Sequence, residues 1–336
     1  MTSAIDGRVP PSPGASGETS SPDDSPSPPP PRPPLSWRTR LRRDRALLLF
    51  ALPGMLLFIV FHYVALLGNV IAFQDYQPFL GIRDSIWVGL ENFSVLVNGD
   101  SAFLIALKNT LVLTLIQTVL VFPAPIILAL SLNSLLSERL KRVIQSVLYL
   151  PHFLSWVVVV ALFQSMLGGA GLLNNFLRAN GWETLDILGN PDIFFGLITA
   201  QVIWKDTGWS TIIFLAALSQ IDSTLYEASS VDGAGRWRQM WHVTLPGIKG
   251  IVILLLILKL GDSLSVGFEQ IILQQPAVGI AHSEVLETYV YNNGIVGGSW
   301  GVSTAVGLVK GLVGVILVLA ANKLAHIFGE NGVYKG

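Results

Sequence analysis

Long apolar stretches alternate with short polar intervals along most of the chain. Six stretches are long enough to cross a bilayer as helices, which takes about 20 residues each. The composition agrees, because 51% of the 336 residues are hydrophobic and only 13% are charged, unlike the mix of a soluble globular domain. The pattern predicts an all-α membrane protein with six transmembrane helices, at approximately 46–70, 107–132, 143–167, 192–218, 250–273 and 301–326.

Residues 1–36 break this pattern with Pro, Ser, Gly and Asp and almost no apolar side chains. Such a composition cannot bury enough surface to offset its chain entropy, so we expect a disordered tail. The first apolar stretch is too long for a signal-peptide core, and no A-x-A cleavage site follows it, so we expect it to remain as a span. The predicted transmembrane domain covers 37–336, and five arginines precede its first span: Arg38, Arg40, Arg42, Arg43 and Arg45.

Lysine and arginine in the short connections predict the orientation of the spans. If the N-terminus is cytoplasmic, the outside connections hold only Arg83 and Arg178, with Lys108 near a boundary. Six spans with both termini in the cytoplasm therefore satisfy the charge distribution. Besides the tail, the basic residues then placed inside are Arg139, Lys141, Arg142, Arg236, Arg238, Lys249, Lys323 and Lys335.

A polar interval at about 220–248, between predicted spans four and five, then lies at the cytoplasmic face. Asp232-Gly233 indicates a helix end and a turn, since glycine adopts left-handed conformations without steric cost. Pro246 breaks the chain before the next span. The first of two short helices would begin at one of three candidate N-caps, Asp222, Ser223 or Thr224.

The second short helix of this interval carries Trp237, Met240 and Trp241 at helical spacing. The pattern predicts a helical hairpin that exposes large apolar side chains at the membrane surface. On periodicity alone the hairpin fits either an aromatic and basic anchor at the lipid interface or a docking element for a soluble partner.

A spaced motif in the same interval favours docking. The interval contains Glu227-Ala228-Ser229, then Gly233 after three residues, and then Val243-Thr244-Leu245-Pro246 after nine more. This spacing resembles the EAA signature of permease subunits of binding-protein-dependent ABC importers. In that family the pattern is E-A-A, three, G, nine, I-x-L-P, in a cytoplasmic loop between two late helices. Five positions match, namely Glu227, Ala228, Gly233, Leu245 and Pro246, while Ser229 replaces an alanine and Val243 an isoleucine.

The resemblance extends over roughly residues 46–330. The segments "FQDYQPF", "WVGLENF", "YLPHFLSW" and "GFEQIIL" are similar to the oligosaccharide branch of these permeases, the group associated with aldouronate or other complex polysaccharide fragments. It implies a location in the bacterial cytoplasmic membrane and three kinds of partner: a second permease subunit, an extracytoplasmic sugar-binding protein and two ATPase subunits. ATP and magnesium would bind to the ATPases, so this chain would hold no cofactor itself.

The resemblance also implies roles for residues of the hairpin, which would be the coupling helix seated in a groove of one ATPase. Glu227 would accept a charge-assisted hydrogen bond from a partner Arg or Lys, and Trp237 and Trp241 would supply a large apolar contact area. The residues assigned to ATPase coupling are Glu227, Ala228, Gly233, Trp237, Trp241, Leu245 and Pro246.

Charged side chains within predicted spans are further candidates, because each is costly in lipid. In span five, Lys259 and Asp262 lie three residues apart on one predicted helix face, with Glu269 about two turns further on. Two interpretations are open: Lys259 and Asp262 neutralise each other, or this region lines a sugar pathway, although Glu269 also fits an outer contact with the binding protein. The side chains suited to sugar hydroxyls are Asp262, Ser263, Ser265, Glu269 and Gln270.

Span four carries Lys205 and Asp206, which are adjacent and point about 100° apart. We expect them not to pair with each other and at least one to find a partner on another helix. Trp204 and Trp209 either stack on a sugar ring or simply pack within the protein; Lys205, Asp206 and Trp209 join the candidate pathway. In span six, Gly307-x-x-x-Gly311, with Lys310 between the glycines, predicts close helix packing.

Other chemistry finds little support in the sequence. There is no cysteine and no G-x-x-x-x-G-K-[ST] phosphate loop, and a net charge of −1 provides no basic field for nucleic acid. The segment "GGSWG" at 297–301 matches the G-x-S-x-G motif of serine hydrolases. No acid lies between Ser299 and His326 to complete the Ser-acid-His order of that motif, so we take it as a chance match. We expect a non-catalytic subunit; the alternative is a stand-alone secondary carrier or a membrane-embedded enzyme, which would show repeats or a catalytic constellation. The histidines are scattered without metal-ligand spacing: His62, His152, His242, His282 and His326.

Overall fold

A computed structural model describes residues 45–135, 137–327 and 329. The predicted tail at 1–36 lies outside the described residues. The chain divides into two compact units, the first ending at Tyr63 and the second beginning at Val64. In the first unit, α1 (Arg45–Phe58) continues into a π-helical segment from Ile59, and every described side chain of that unit is exposed.

The second unit begins with helix α2 (Ala65–Leu67) and a 3-10 turn (Gly68–Phe73). An antiparallel pair of two-residue strands follows, β1 (Gln74–Asp75) and β2 (Ile86–Trp87), with α3 (Gly81–Asp84) between them and a 3-10 turn (Glu91–Leu96) after them. Asn92 fastens this small module, because its Nδ2 donates to the carbonyls of Ala72 at 3.0 Å and Gln74 at 2.9 Å.

The rest of the described chain consists of helices and their connections. Besides the α-helices it contains a 3-10 turn at Leu150–Phe153 and π-helical segments at Met240–Thr244 and Tyr291–Val296. The helices are α4 (Ser101–Leu120), α5 (Pro123–Asn133), α6 (Glu138–Tyr149), α7 (Trp156–Leu167), α8 (Leu172–Ala179), α9 (Pro191–Leu218), α10 (Ser223–Val231), α11 (Arg236–Gln239), α12 (Leu245–Gly261), α13 (Phe268–Val278), α14 (Ile280–Ser283), α15 (Leu286–Val290) and α16 (Trp300–Ile327).

Within the described residues, five helical segments are long and apolar enough to cross a membrane: Arg45–Phe73, Ser101–Asn133, Trp156–Ala179, Arg236–Gly261 and Trp300–Ile327. The fourth predicted span is also a helix, α9, with 28 residues. It is less apolar than these five because polar side chains occur along it, among them Gln201 and Lys205, which are both buried.

The third predicted span, at 143–167, is wrong as a single helix. The helix breaks between α6 and α7, where Pro151 lacks a backbone N–H and Ser155 caps the new helix by accepting a hydrogen bond from the Val158 N–H. Helix α6 alternates charged and apolar residues, so it is amphipathic rather than apolar all round.

The fifth predicted span, at 250–273, is also interrupted. Helix α12 ends at Gly261, the next helix begins at Phe268, and Gly267 has a φ of 106° that favours glycine. The freed carbonyls of the break are bonded by α4, since Gln117 Nε2 donates to Val266 O at 3.2 Å and Thr114 Oγ1 donates to Ser263 O. The expectation that Lys259 and Glu269 share one helix is therefore wrong.

Apolar side chains from separate helices form the core of the second unit. One cluster joins α5, α9 and α12 through Ala129, Phe214, Leu218 and Ile248, directly beside the start of the 220–248 interval. Gly208 lets α9 approach α6 closely, because a Cβ at that position would lie 2.0 Å from the Leu148 carbonyl oxygen. The first cluster thus ties the helices on either side of the hairpin, α9 and α12, to α5.

Candidate functional site

The 220–248 interval forms the helical hairpin that its sequence predicts. Asp222 is the N-cap of α10, because its Oδ1 accepts a hydrogen bond from the Thr224 N–H at 2.9 Å. Hydrogen bonds from Thr224 hold the pKa of Asp222 below its usual value. The helix ends at Val231, and Gly233 takes the left-handed conformation, with a φ of 76°. The predicted cap and turn are thus both present.

Gln239 locks the two arms of the hairpin together. Its Nε2 lies 3.1 Å from Ser229 Oγ and 2.8 Å from Ser230 Oγ, both on α10. A second link joins the Tyr226 hydroxyl to Thr244 Oγ1 at 3.0 Å. Ser229, the position that departs from the EAA pattern, therefore contributes a hydroxyl to this lock.

The outer surface of the hairpin combines an exposed carboxylate with exposed aromatic rings. Glu227 is exposed, and its carboxylate has no hydrogen bond or ion pair to another described residue. Trp237 and Trp241 expose 72% and 56% of their surface, and their rings pack edge to face with centroids 6.4 Å apart. Such a surface offers a charge and apolar area to a partner.

The remaining motif residues lie around this surface. Ala228 and Pro246 are exposed and Leu245 is half-buried where α12 begins. An apolar cleft of about 630 Å³ separates the hairpin from the end of α5, lined among others by Leu130, Tyr226 and Trp237. The hairpin thus presents a face and an adjoining groove.

A second polar cluster lies where α9 passes the α6–α7 break. Lys205 Nζ donates to the His152 carbonyl at 2.8 Å, and His152 Nδ1 lies 2.9 Å from Asp206 Oδ1. The expectation of partners on another element is therefore confirmed. The expectation that Lys205 and Asp206 do not pair is wrong, because Nζ reaches within 3.8 Å of Oδ1 on a long flexible side chain.

Trp209 belongs to the same cluster. Its ring stacks on the His152 ring, with centroids 4.7 Å apart and planes inclined by 3°. The side chain still exposes 44% of its surface. One face of Trp209 is thus used for packing while part of the residue stays accessible.

The candidates from predicted span five separate into different surroundings. Asp262 and Glu269 are exposed on opposite sides of the helix interruption. Lys259 lies within electrostatic range of both Asp262 and Asp206. Gln270, in contrast, is fully buried in the protein, where its Nε2 donates to Gln201 Oε1 at 2.7 Å.

The sequence analysis missed a large cleft beside this interruption. It measures about 1070 Å³ and is bounded by the end of α12, the segment at Tyr291–Val296 and the face of α16 that carries Gly307, Gly311 and Gly314. Lys310 Nζ and Glu287 Oε1 form an ion pair of 2.8 Å at its wall. A charged residue inside a predicted span was the available signal for Lys310, but its partner lies 23 residues away in sequence.

The prediction of close packing at Gly307 and Gly311 is wrong among the described residues. A Cβ at either glycine would meet no atom within 4 Å, so both glycines leave open space in the cleft. The close helix contact occurs instead at Gly314, where a Cβ would lie 2.8 Å from the Gly261 carbonyl oxygen.

Five described helical segments long and apolar enough to cross a membrane, with an exposed hairpin at the base of one of them, are typical of a multi-pass membrane protein. The family described as "Binding-protein-dependent transport system inner membrane component" matches residues 121–330, and the chain belongs to this family. It is therefore an inner-membrane permease of the ABC type, as the hairpin motif predicts.

Two relatives from Bacillus subtilis (strain 168) match most of the chain. The "Polygalacturonan/rhamnogalacturonan transport system permease protein YteP" is 49% identical over 296 residues, which cover 88% of this chain and 92% of the relative. "Protein LplB" is 43% identical over 302 residues, covering 89% and 94%.

Two solved structures resemble the fold. One is a bacterial alginate ABC transporter in complex with an alginate pentasaccharide-bound periplasmic protein, with a TM-score of 0.79, 34% identity, and coverage of 88% of this chain and 99% of that chain. The other is a bacterial ABC transporter involved in the import of the acidic polysaccharide alginate, with a TM-score of 0.77, 35% identity, and coverage of 86% and 98%.

Proposed function

We propose that this chain is one permease subunit of an ATP-driven importer of oligosaccharides. It would work with a second permease subunit, two ATPase subunits that bind ATP and magnesium, and an extracytoplasmic sugar-binding protein. The transport names of its relatives support the substrate class, and the periplasmic protein in the alginate complex supports the last partner. In this proposal α9 is the fourth of six spans, both termini are cytoplasmic and the chain itself catalyses no reaction.

The hairpin is the observation that carries this proposal. Its arms are locked by Gln239, and it continues through the segment at 240–244 into α12, so a push on the hairpin would move a membrane helix. Its exposed Glu227 and tryptophans have the chemistry of a protein contact rather than of a closed core. We therefore assign the hairpin to coupling with an ATPase.

The sugar pathway would pass the accessible polar groups of α9 and of the α12–α13 interruption. Asp206, Asp262 and Glu269 would accept hydrogen bonds from sugar hydroxyls, and the accessible part of Trp209 would contact a sugar ring. Lys205 would hold the Asp206 region in place through its bond to the His152 carbonyl. Gln270 would support this wall from behind rather than contact sugar, because it is fully buried.

Charge reversal at Glu227 tests the coupling role. In the reconstituted complex with its binding protein, Glu227→Lys should insert and assemble normally but lose sugar-stimulated ATP hydrolysis, because its partner would be cationic. Glu183→Lys is a matched control, since Glu183 is also exposed but lies in the connection between α8 and α9. Wild-type stimulation in Glu227→Lys would overturn the coupling assignment, and sugar transport by the chain without ATPase subunits would overturn the importer assignment.

A further inference from the structure

The 1070 Å³ cleft contains an ion pair that the proposed coupling role does not use. Lys310 and Glu287 are bonded at 2.8 Å, with 20% and 22% of their side chains exposed. Lys310 lies within α16, a helix apolar enough to cross the membrane. Charged side chains at membrane depth are costly and usually serve a pathway, and a partly buried ion pair is weak evidence for a stabilising role alone.

The walls around this ion pair leave room for a ligand. Nonhelical backbone at membrane depth is tolerated where protein or a water-filled cavity surrounds it, and the break after Gly261 borders this cleft. Gly307 and Gly311 flank Lys310 in the sequence and add no side chain to the space in front of it. Phe268 and Tyr291, whose ring centroids are 5.4 Å apart, provide aromatic surface in the same cleft.

Lys310 is the one cation among the described residues that line the cleft, so an anion that entered the cleft would bind there. The described lining contains two acids, Asp262 and Glu287. Glu287 bonds Lys310 directly, whereas Asp262 lies within electrostatic range of Lys259. A carboxylate that enters the cleft would form with Lys310 the same type of contact that Glu287 forms. An ammonium group can donate three hydrogen bonds, so it can bind both carboxylates at once or exchange one for the other.

We propose that Lys310 binds the carboxylate of an acidic oligosaccharide during its passage, with Glu287 holding the ammonium group in place between transport events. This inference rests on the proposed function and narrows its substrate class to uronate-containing fragments. One relative is named for polygalacturonan transport, and one of the similar solved structures is involved in the import of an acidic polysaccharide, which agrees with that chemistry.

A purely structural role for the ion pair makes a different prediction. If Lys310 only neutralises Glu287 and fastens α15 to α16, then removing both charges in Lys310→Met/Glu287→Gln should restore transport, because no charge is left without a partner. If Lys310 binds substrate, the double variant should remain defective for acidic sugars. The two roles are therefore separable by one extra variant.

The test uses the complete complex in proteoliposomes, with the binding protein saturated either with trigalacturonate or with its methyl ester. Lys310→Met and the double variant should both import trigalacturonate about tenfold more slowly or worse, the size expected for a lost charge-assisted hydrogen bond. Import of the uncharged methyl ester should be unchanged in both variants. Lys323→Met, an exposed lysine on the same helix, is the control for both sugars.

Each outcome decides the question. Loss confined to trigalacturonate in both Lys310 variants supports the carboxylate site. Equal loss for both sugars, or recovery of trigalacturonate import in the double variant, overturns it while leaving the importer assignment intact. A wild-type complex that imports neither sugar by ATP hydrolysis overturns the acidic substrate class, and if no other oligosaccharide is imported the proposed function fails as well.

Discussion

Two glutamines, Gln239 in the hairpin and Gln201 in α9, have similar bonding roles in opposite surroundings. Gln239 joins two arms of a surface hairpin through the hydroxyls of Ser229 and Ser230. Gln201 has no exposed surface, and its side-chain oxygen accepts from Gln270 Nε2 at 2.7 Å and Gln274 Nε2 at 2.9 Å. Water can replace a lost bond only at the surface, so the same amide has very different energetic weight in the two regions.

The two regions also differ in which polar groups are bonded within the protein and which face outward. Within the protein, Gln201 closes a network that joins α9 to α13. In the hairpin, internal bonds fix the backbone while Glu227 and the two tryptophans face outward. In α9 the side-chain hydrogen bonds stabilise the fold. In the hairpin they fix the backbone, while the exposed Glu227 and the two tryptophans stay accessible to another molecule.

The largest predicted effect on stability is that of Gln201→Leu. This change removes the shared acceptor of the Gln270 and Gln274 side-chain amides and the donor to Gln274 Oε1. The two amides keep backbone acceptors, but the buried Gln274 oxygen is left unpaired, at about 1–3 kcal/mol. We expect a clearly lower midpoint of thermal unfolding in detergent. Gln220→Leu, at the exposed end of the same region, is the control; equal midpoints for both variants would show that the buried network does not stabilise the fold.

The next effect is local to the turn of the hairpin. Gly233→Val places a β-branched residue at a φ of 76°, which costs about 1–3 kcal/mol of strain. We expect sugar-stimulated ATP hydrolysis to be lost while the unfolding midpoint of the bundle is unchanged. Gly235→Val is the matched control, because the φ of Gly235 is −71° and no neighbouring atom crowds its Cβ position; similar activity of the two variants would argue against a rigid turn.

A smaller effect is expected from Gln239→Ala. The change removes the bonds between Gln239 and the α10 hydroxyls, worth about 1 kcal/mol for a partly exposed bond. The hairpin should open more often without unfolding, so α10 amides should exchange hydrogen faster and stimulated ATP hydrolysis should fall in part. Unaltered exchange in α10 would show that Tyr226 and Thr244 hold the arms without Gln239.

The smallest effect is expected at the fully exposed cap of α10. Because hydrogen bonds from Thr224 lower the pKa of Asp222, the stabilisation from ionised Asp222 is present above the unfolded pKa of about 3.9 and is lost as pH falls through the lower folded pKa. Asp222→Asn should keep the cap and remove its pH dependence, whereas Asp222→Ala should fray the first turn at all pH values. Hydrogen exchange of the Thr224 amide measures both, and identical pH profiles for wild type and Asp222→Asn would contradict the assignment.

Local signals in the sequence predicted the local structure well. Asp222 was one of three candidate caps and Gly233 was the predicted turn, and both positions depend only on atoms a few residues away. The EAA spacing likewise predicted the family, because it fixes distances along one short segment. Apolar length predicted where helices lie, although α9 shows that a helix with buried polar side chains need not be as apolar as its neighbours.

The interruptions were not predicted, because an apolar run looks continuous whether or not the backbone within it is helical. Only the tertiary structure shows that Gln117 of α4 bonds a carbonyl of the 262–267 break and so makes that break possible. The sequence by itself thus determined the membrane class, the family and the hairpin, whose energetics are local. Tertiary packing decided which distant polar groups meet, such as Glu287 with Lys310 and Gln201 with Gln270, since the energy of a buried polar group depends on partners that sequence spacing does not reveal.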